Sequence, residues 1–542
     1  MKITLTMHKR LSLFPVALLM AGLLAAYPLL ASEAASAPVP ASGGRFDVLE
    51  MVVDGNTVLP NGAVEKAVYP YLGPQRSIED VEKAREALEK AYQDAGYLTV
   101  QVDIPEQKVN EGVVTLRVVE GSVERLRVSG SRYFSLGGIR AGAPSLAVGS
   151  VPQFTEVQQE LAQLSRSPDR RITPLLRAGK LPGKVEVELK VEDELPLHGS
   201  FELNSKRSVG TEPGRFEGSL RYDNLWQRQH SLSLNYITAP RDRSQVEVVV
   251  ANYTLPIDRQ SGAALALYAV KSNSNVPATL DSKVLGKGTT LGARYVLPLP
   301  GGSSGWYHSL SAGIDYKDFQ ENRTVDASSR PITYMPASLQ YNATAPDDDG
   351  QWQFGAGLTL GLRGLQQKDV DCDGVVKDQF DCKRAGARPN FVAARFDVTR
   401  QQALGRGWTL TAHGDAQFAS QPLISNEQLA AGGDDSVRGY FDAERTGDYG
   451  LRARIELEAP SISSFDGYPL NLLAFVDYAD LGLVDPLPRQ IDRFKLSGAG
   501  LGLKFKAGRH WKFNLYAARA LLDGDKTLKG DARLHARLAY EF

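Results

Sequence analysis

The C-terminal segment places the tightest constraint on this chain. Leu534, Ala536, Leu538, Tyr540 and Phe542 fall on one side of a period-two pattern, and Arg533, His535, Arg537 and Glu541 on the other. An extended strand sends successive side chains to opposite faces, so this segment reads as a strand with one apolar and one charged face. The same alternation recurs upstream. Phe216, Gly218, Leu220 and Tyr222 oppose Glu217, Ser219, Arg221 and Asp223, while Leu451, Ala453, Ile455 and Leu457 oppose Arg452, Arg454, Glu456 and Glu458. A soluble sandwich also alternates, with its apolar face turned to a core. Charge this dense on the second face suits a membrane-spanning strand instead, with lipid outside and water inside. From Ser200 to Phe542 about 16 such antiparallel strands can be counted, an even number as in bacterial single-chain barrels. The least sharply defined lie near Ile332–Ala343 and Phe391–Thr399. The expected fold is therefore a transmembrane β-barrel over residues 196–542.

Composition agrees. A mean hydropathy of −0.25 with 23% charged residues is too polar for a helical membrane protein. It suits a barrel, where only every second strand residue meets lipid. A net charge of −1 gives no basic field for nucleic acid. Lys2, His8, Lys9 and Arg10 precede an apolar run from Leu11 to Leu30, and the small residues of ASEAASA follow. This reads as a secretory signal peptide over residues 1–34, cleaved between Ala31 and Ala37, then a short flexible segment over 35–44. Cys372 and Cys382 lie close together in one polar loop, and in an oxidising exterior compartment they are expected to pair.

Between the leader and the barrel the period changes. Phe46–Leu59 alternates, with Gly55-Asn56 marking a bend, and two helical stretches follow. Ser77 can cap the second, with Glu79 and Asp80 in its first turn. Ile78, Val81, Ala84, Leu88 and Ala91 or Tyr92 fall at helical spacing, and Gly96 stands where a terminating glycine belongs. Strands at Thr99–Pro105 and Val113–Val119 complete a β-α-α-β-β order over residues 45–121. Residues 122–195 repeat it less clearly, with strands at Val123–Val128, Ile172–Leu176 and Val185–Val191 and a helix at Phe154–Leu164. This order resembles POTRA domains, binding modules whose strand edges take up unfolded chains by β-augmentation. The bland alternative is two generic α+β domains.

The run Gly433-Asp434-Asp435-Ser436-Val437-Arg438-Gly439-Tyr440 lies on a long loop (residues 421–446) after the eleventh strand. Phe475-Val476-Asp477 lies on the thirteenth, whose Leu472, Ala474, Val476 and Tyr478 face lipid, so Phe475 and Asp477 face the lumen. Buried away from water, Arg438 would need an anionic partner, and Asp477 is the natural one. These motifs resemble the VRGY loop and F-x-D strand of BamA-type barrels. With the POTRA-like repeat, the chain resembles the haemolysin secretion/activation (ShlB/FhaC/HecB) family of two-partner secretion transporters.

The resemblance implies an outer-membrane barrel with periplasmic POTRA domains and a Val437-Arg438-Gly439-Tyr440 loop folded into the lumen. The terminal strand, ending in Tyr540 and Phe542, resembles the C-terminal signal of outer-membrane barrels. The implied partners are an unfolded exoprotein (an adhesin, cytolysin or contact-dependent toxin), the barrel-assembly machinery during biogenesis, and outer-membrane lipid. A BamA-type assembly factor is the alternative, and a solute channel a weaker one. Ala479 stands where related barrels often carry glycine, and the leader leaves no room for the plug helix that some relatives carry before the first POTRA domain.

Enzyme and cofactor signals are absent. The seven histidines are scattered, and neither H-E-x-x-H, a G-x-S-x-G elbow nor a phosphate loop is complete. Asp369, Asp371, Asp373 and Gly374 imitate the start of a calcium loop, but Phe380 occupies the position of the closing acid. An acidic, disulfide-closed surface loop is the expected reading. Trp226, Tyr236, Tyr253, Tyr295, Trp306 and Trp511 near strand ends suit an interfacial girdle.

Overall fold

A computed structural model describes residues 44–542 except 110, 259–260, 274–286, 302–304, 321–330 and 464–466. The leader and the segment after it lie outside the described residues. Among the described residues no helix is long and apolar enough to cross a membrane.

Residues 46–95 and 100–119 form one compact unit. Its sheet places Val113–Glu120 between Glu50–Asp54, which is parallel to it, and Val100–Asp103. Helix Ile78–Asp94 covers that sheet because Val81, Ala84, Leu88 and Tyr92 repeat on one face and are buried. Ser77 accepts from the Asp80 amide while the Asp80 carboxylate accepts from the Ser77 amide, satisfying two donors the helix leaves open. Ile78, the first residue of the helix, shares the apolar spacing but is exposed. A short antiparallel pair, Phe46–Val48 with Gly73–Arg76, adds to the expected order.

The next unit has Lys184–Asp193 between Ser122–Ser129 and Arg170–Ala178. Its core gathers Leu126, Ile139, Val157, Leu164 and Leu189. Helix Leu136–Ala141, too short to show a period, is the element the sequence did not reveal. Asp193 closes this sheet. Burial opposes its charge, but the Ser131 hydroxyl and the backbone N–H groups of Tyr133, Arg132 and Phe134 donate to it and hold its pKa below the usual carboxylate range.

Beyond these units, a 16-strand antiparallel barrel closes from Leu197–Asn204 to Ala532–Glu541, with two short two-stranded ladders in its loops. The eighth strand is interrupted at Met335, between Ile332–Tyr334 and Pro336–Asp347. The first and last strands pair from Ser200↔Glu541 to Asn204↔Arg537, and the ladder continues as Phe542 and Gly199 exchange backbone hydrogen bonds. Tyr540 stacks on Phe201 across this seam, with centroids 5.1 Å apart. The terminal aromatics thus complete closure, which removes the two strand edges that an open sheet would expose to lipid.

The second α+β unit touches the turn after the second barrel strand. The Tyr133 carbonyl accepts from Asn224 and Gln227, and the Ser135 amide donates to Gln227. Turns after even strands therefore face that unit, and loops after odd strands open at the opposite mouth.

Candidate functional site

The chain between the eleventh strand, Thr409–Ala419, and the twelfth, Tyr449–Glu458, turns into the barrel. Leu429–Ala431 and Arg445–Gly447 pair as a short ladder, and the loop tip lies beyond it. Leu429, Ala431, Val437 and Tyr440 pack on Ala479, Leu481, Leu496 and Ala520 of the thirteenth to fifteenth strands. Apolar contact therefore lays the loop along one wall and carries Arg438 into that wall's charges.

Arg438 and Asp477 are both 0% exposed. The Arg438 Nε donates to Asp477 Oδ2 at 2.7 Å, its Nη2 to Oδ1 at 2.7 Å, and its backbone N–H to Oδ2 at 3.0 Å. A planar guanidinium fork matches a carboxylate in this way and an ammonium does not. The third limb, Nη1, donates to Glu456 Oε1 at 2.6 Å. The guanidinium also stacks on Phe475, 3.5 Å from the ring centroid, with Tyr516 at 5.0 Å. Arg454 lies 3.7 Å from Asp477, and Lys504 reaches Glu456 and Glu458 at 3.2 and 2.9 Å. Three cations (Arg438, Arg454, Lys504) thus face three carboxylates (Asp477, Glu456, Glu458), a balanced set with Arg438 and Asp477 fully buried and the other four partly exposed. That balance is what makes burial of Arg438 tolerable.

The neighbours of Arg438 fix the backbone. Gly439 has φ +100° and its Cα lies against the backbone of Arg519 and Ala520, where a Cβ would sit 3.1 Å from the Ala520 nitrogen. Its N–H donates to His535 Nε2 at 3.1 Å, and the Tyr440 hydroxyl lies 2.9 Å from the Ser497 carbonyl and 2.7 Å from that of Leu522. On the wall, a side chain at Gly498 would run into the Arg438 carbonyl oxygen. Gly498→Val is therefore expected to lift the loop while the strand still forms. Planar-bilayer recordings should show more frequent or larger openings, and a wild-type trace would refute the close-fit account. At the tip, Asp435 meets Lys206 beside the first strand at 2.9 Å and Arg537 of the last strand at 3.3 Å.

A second outer loop braces the first. Cys372 and Cys382 form a disulfide within the segment joining the ninth and tenth strands. Phe380 packs with Phe319, Tyr334, Phe391, Leu423 and Ile424. Arg384 donates to both carboxylate oxygens of Asp448, which also accepts from the Leu423 and Val484 backbone amides and from Gln428. Asp448 is 0% exposed and ends the inward loop. Asp369, Asp371 and Asp373 are exposed and are not gathered around a common point, and Asp371 instead accepts from the Gly374 amide in the hairpin turn. Between the loop and the opposite wall lies a cavity of about 600 Å³, lined among others by Asn252, Tyr268, Arg294, Asp315, Arg395 and Asp397.

The structure brings together Val437, Arg438, Gly439, Tyr440, Phe475 and Asp477. Glu456, Lys504, Arg454, Tyr516 and His535 join them without having been singled out in the sequence. The signal was there for Glu456, which stands on the charged face of a strand adjacent to that of Asp477. The register sets Arg454 opposite Asp477 and Phe475 opposite Glu456.

The model of the haemolysin secretion/activation protein family ShlB/FhaC/HecB matches residues 183–505, and that of the ShlB-type POTRA domain matches residues 46–121. The outer membrane transporter CdiB of Escherichia coli is 24% identical over 444 residues, 79% of this chain and 72% of that protein. The heme/hemopexin transporter protein HuxB of Haemophilus influenzae is 20% identical over 478 residues, 83% of this chain and 79% of that one. The solved structure of E. coli CdiB superposes with a TM-score of 0.59 at 21% identity, covering 95% of this chain and 94% of that chain. Haemophilus ducreyi BamA lacking its first three POTRA domains gives 0.55 at 14% identity, covering 92% of this chain and all of that one. At these identities the structural likenesses speak for the fold alone.

Proposed function

We propose that this chain, which belongs to the haemolysin secretion/activation family ShlB/FhaC/HecB, passes an unfolded exoprotein through its barrel lumen in two-partner secretion. It is an outer-membrane protein with its POTRA domains in the periplasm. In this reading the POTRA domains take the exoprotein's N-terminal region as an added strand. Strands Val100–Asp103 and Arg170–Ala178 each end a sheet and leave a ladder edge to offer. The single observation carrying the proposal is the inward loop, held by the Arg438–Asp477–Glu456 cluster to one wall and leaving a cavity of mixed polar and apolar lining along the other. A plain solute channel has no use for an obstruction anchored so firmly. No nucleotide motif is present in the sequence, so folding of the exoprotein outside the cell supplies the forward bias.

Deleting the gene in the native organism, with mass spectrometry of culture supernatant and outer membrane, tests this. Loss of one large exported protein from the supernatant, restored by the wild-type gene, is the expected result. A general fall in many outer-membrane barrels would replace the proposal with an assembly factor, and no change in either fraction would replace it with a channel.

A further inference from the structure

Asp169, His198 and Asp223 come together at the periplasmic end of the barrel, away from the loop cluster. Asp169 is a buried residue in the turn before strand Arg170–Ala178 of the second α+β unit. His198 is in the first barrel strand and Asp223 near the end of the second, Arg215–Leu225. Pairing sets Arg221 opposite His198, so Asp223, two residues on, projects from the same face. His198 Nε2 lies 2.9 Å from Asp169 Oδ1 and 3.7 Å from Asp223 Oδ2, and one ligand atom from each residue lies within 4.8 Å of the others.

A histidine–aspartate ion pair is the simpler account of these distances, but it leaves one fact over. His198 Nε2 is buried and makes no hydrogen bond, because the nearby carboxylate is within range but off the hydrogen-bond line. A nitrogen so placed between two anionic oxygens suits a shared cation. In a tetrahedral zinc site with bonds of about 2.0–2.1 Å, ligand atoms stand about 3.3 Å apart, and the two distances from Nε2 fall either side of that value. One imidazole with two carboxylates is a zinc-type donor set, whereas calcium and magnesium favour all-oxygen shells. The competing groups are Arg221, whose Nε is 3.0 Å from Asp223 Oδ2, and the Ser167 hydroxyl, 3.3 Å from Asp169 Oδ2.

We propose that Asp169, His198 and Asp223 bind one divalent zinc ion that clasps the second POTRA unit to the first barrel hairpin. The hydrogen bonds across the same junction at Tyr133 and Ser135 are neutral. A metal bond across the same junction would hold the unit at one angle to the barrel mouth and release it when zinc is scarce. The site rests on geometry independent of what the barrel transports.

The test uses the full chain in detergent, treated with chelator, desalted and given Zn²⁺ alone. Metal analysis after gel filtration should find about one zinc per wild-type chain and none in Asp169→Asn or His198→Gln. Arg221→Gln, which removes a rival cation, should bind at least as tightly. Heat-modifiable migration on gels reports whether each barrel is folded. A second readout needs no variant: Zn²⁺ should protect His198, but not His230 or His510, from diethyl pyrocarbonate, read by peptide mass spectrometry. Equal zinc in wild type and His198→Gln, or unchanged His198 reactivity, would overturn the proposal. Exoprotein secretion is not part of the measurement, so a failed secretion assay leaves this result standing.

Discussion

Arg438→Ala is expected to abolish secretion of the partner while leaving a folded barrel in the outer membrane. Removing one member of a buried ion pair costs about 3–5 kcal/mol, because the partner left behind keeps its charge without compensation. Here Asp477 would be stranded at 0% exposure and Glu456 would lose its closest cation. Other polar anchors stay in place: the Gly439 and Tyr440 hydrogen bonds, each worth about 1 kcal/mol, the Asp435 pairs with Lys206 and Arg537, and Glu444 against Thr527. A loss of about 3 kcal/mol or more should lower the ratio of anchored to released loop by a factor of about 100 or more. The barrel ladder contains no hydrogen bond from Arg438, so insertion should be preserved. Arg438→Lys should rescue little, since an ammonium cannot fork onto Asp477 and reach Glu456 together. Exoprotein in the supernatant, heat-modifiable barrel on gels, and cysteine accessibility at Ser436 give the three readouts. Normal secretion by Arg438→Ala would remove the anchoring role altogether.

The second large effect is expected at Asp448. Alanine there would take the carboxylate from Arg384, which keeps the Leu423 carbonyl, and leave the Gln428 amide and the backbone N–H groups of Leu423 and Val484 without their acceptor. Orphaned buried donors cost about 1–3 kcal/mol each, and more where the partner is charged. The disulfide-closed loop would keep Phe380 in its apolar cluster but lose its ionic tie to the base of the inward loop. Trypsin added to intact cells should then cut after Lys383 or Arg384 much faster than in wild type. Bilayer recordings should show a higher open fraction. Asp448→Asn, which can still accept but carries no charge, should fall between the two. If cleavage and conductance both stay at wild-type levels, the outer loop does not brace the inner one.

How legible these features were in the sequence depended on the range of the interactions that make them. Alternation, caps and helical spacing are local, so strands such as Ala532–Glu541 and helix Ile78–Asp94 could be read directly, the latter to its Ser77 cap and Gly96 terminus. Ile78 shows the limit, since spacing places a residue on a face but does not say whether anything packs against it there. Helix Leu136–Ala141 was too short to carry a period.

In the candidate site, the sequence offered Arg438 and Asp477 and argued their pairing from burial and resemblance. It could not rank Glu456 above the other lumen-facing acids. The twelfth and last strands carry charges on most of their inward positions, so alternation says which side chains face the lumen and is silent on which of them meet. The same silence covered Arg384 with Asp448, and Asp169 with His198 and Asp223, residues far apart in the chain. The sequence by itself determined a two-faced strand barrel behind two α+β units, with a cation on a long loop and an acid on a lumen face, because these follow from side-chain order along an extended backbone. The choice of partners was left to the tertiary structure. Barrel register, closure and the apolar seating of the loop against one wall fix the distances between charges that are remote in the chain, and a buried charge is tolerated only where those distances are short.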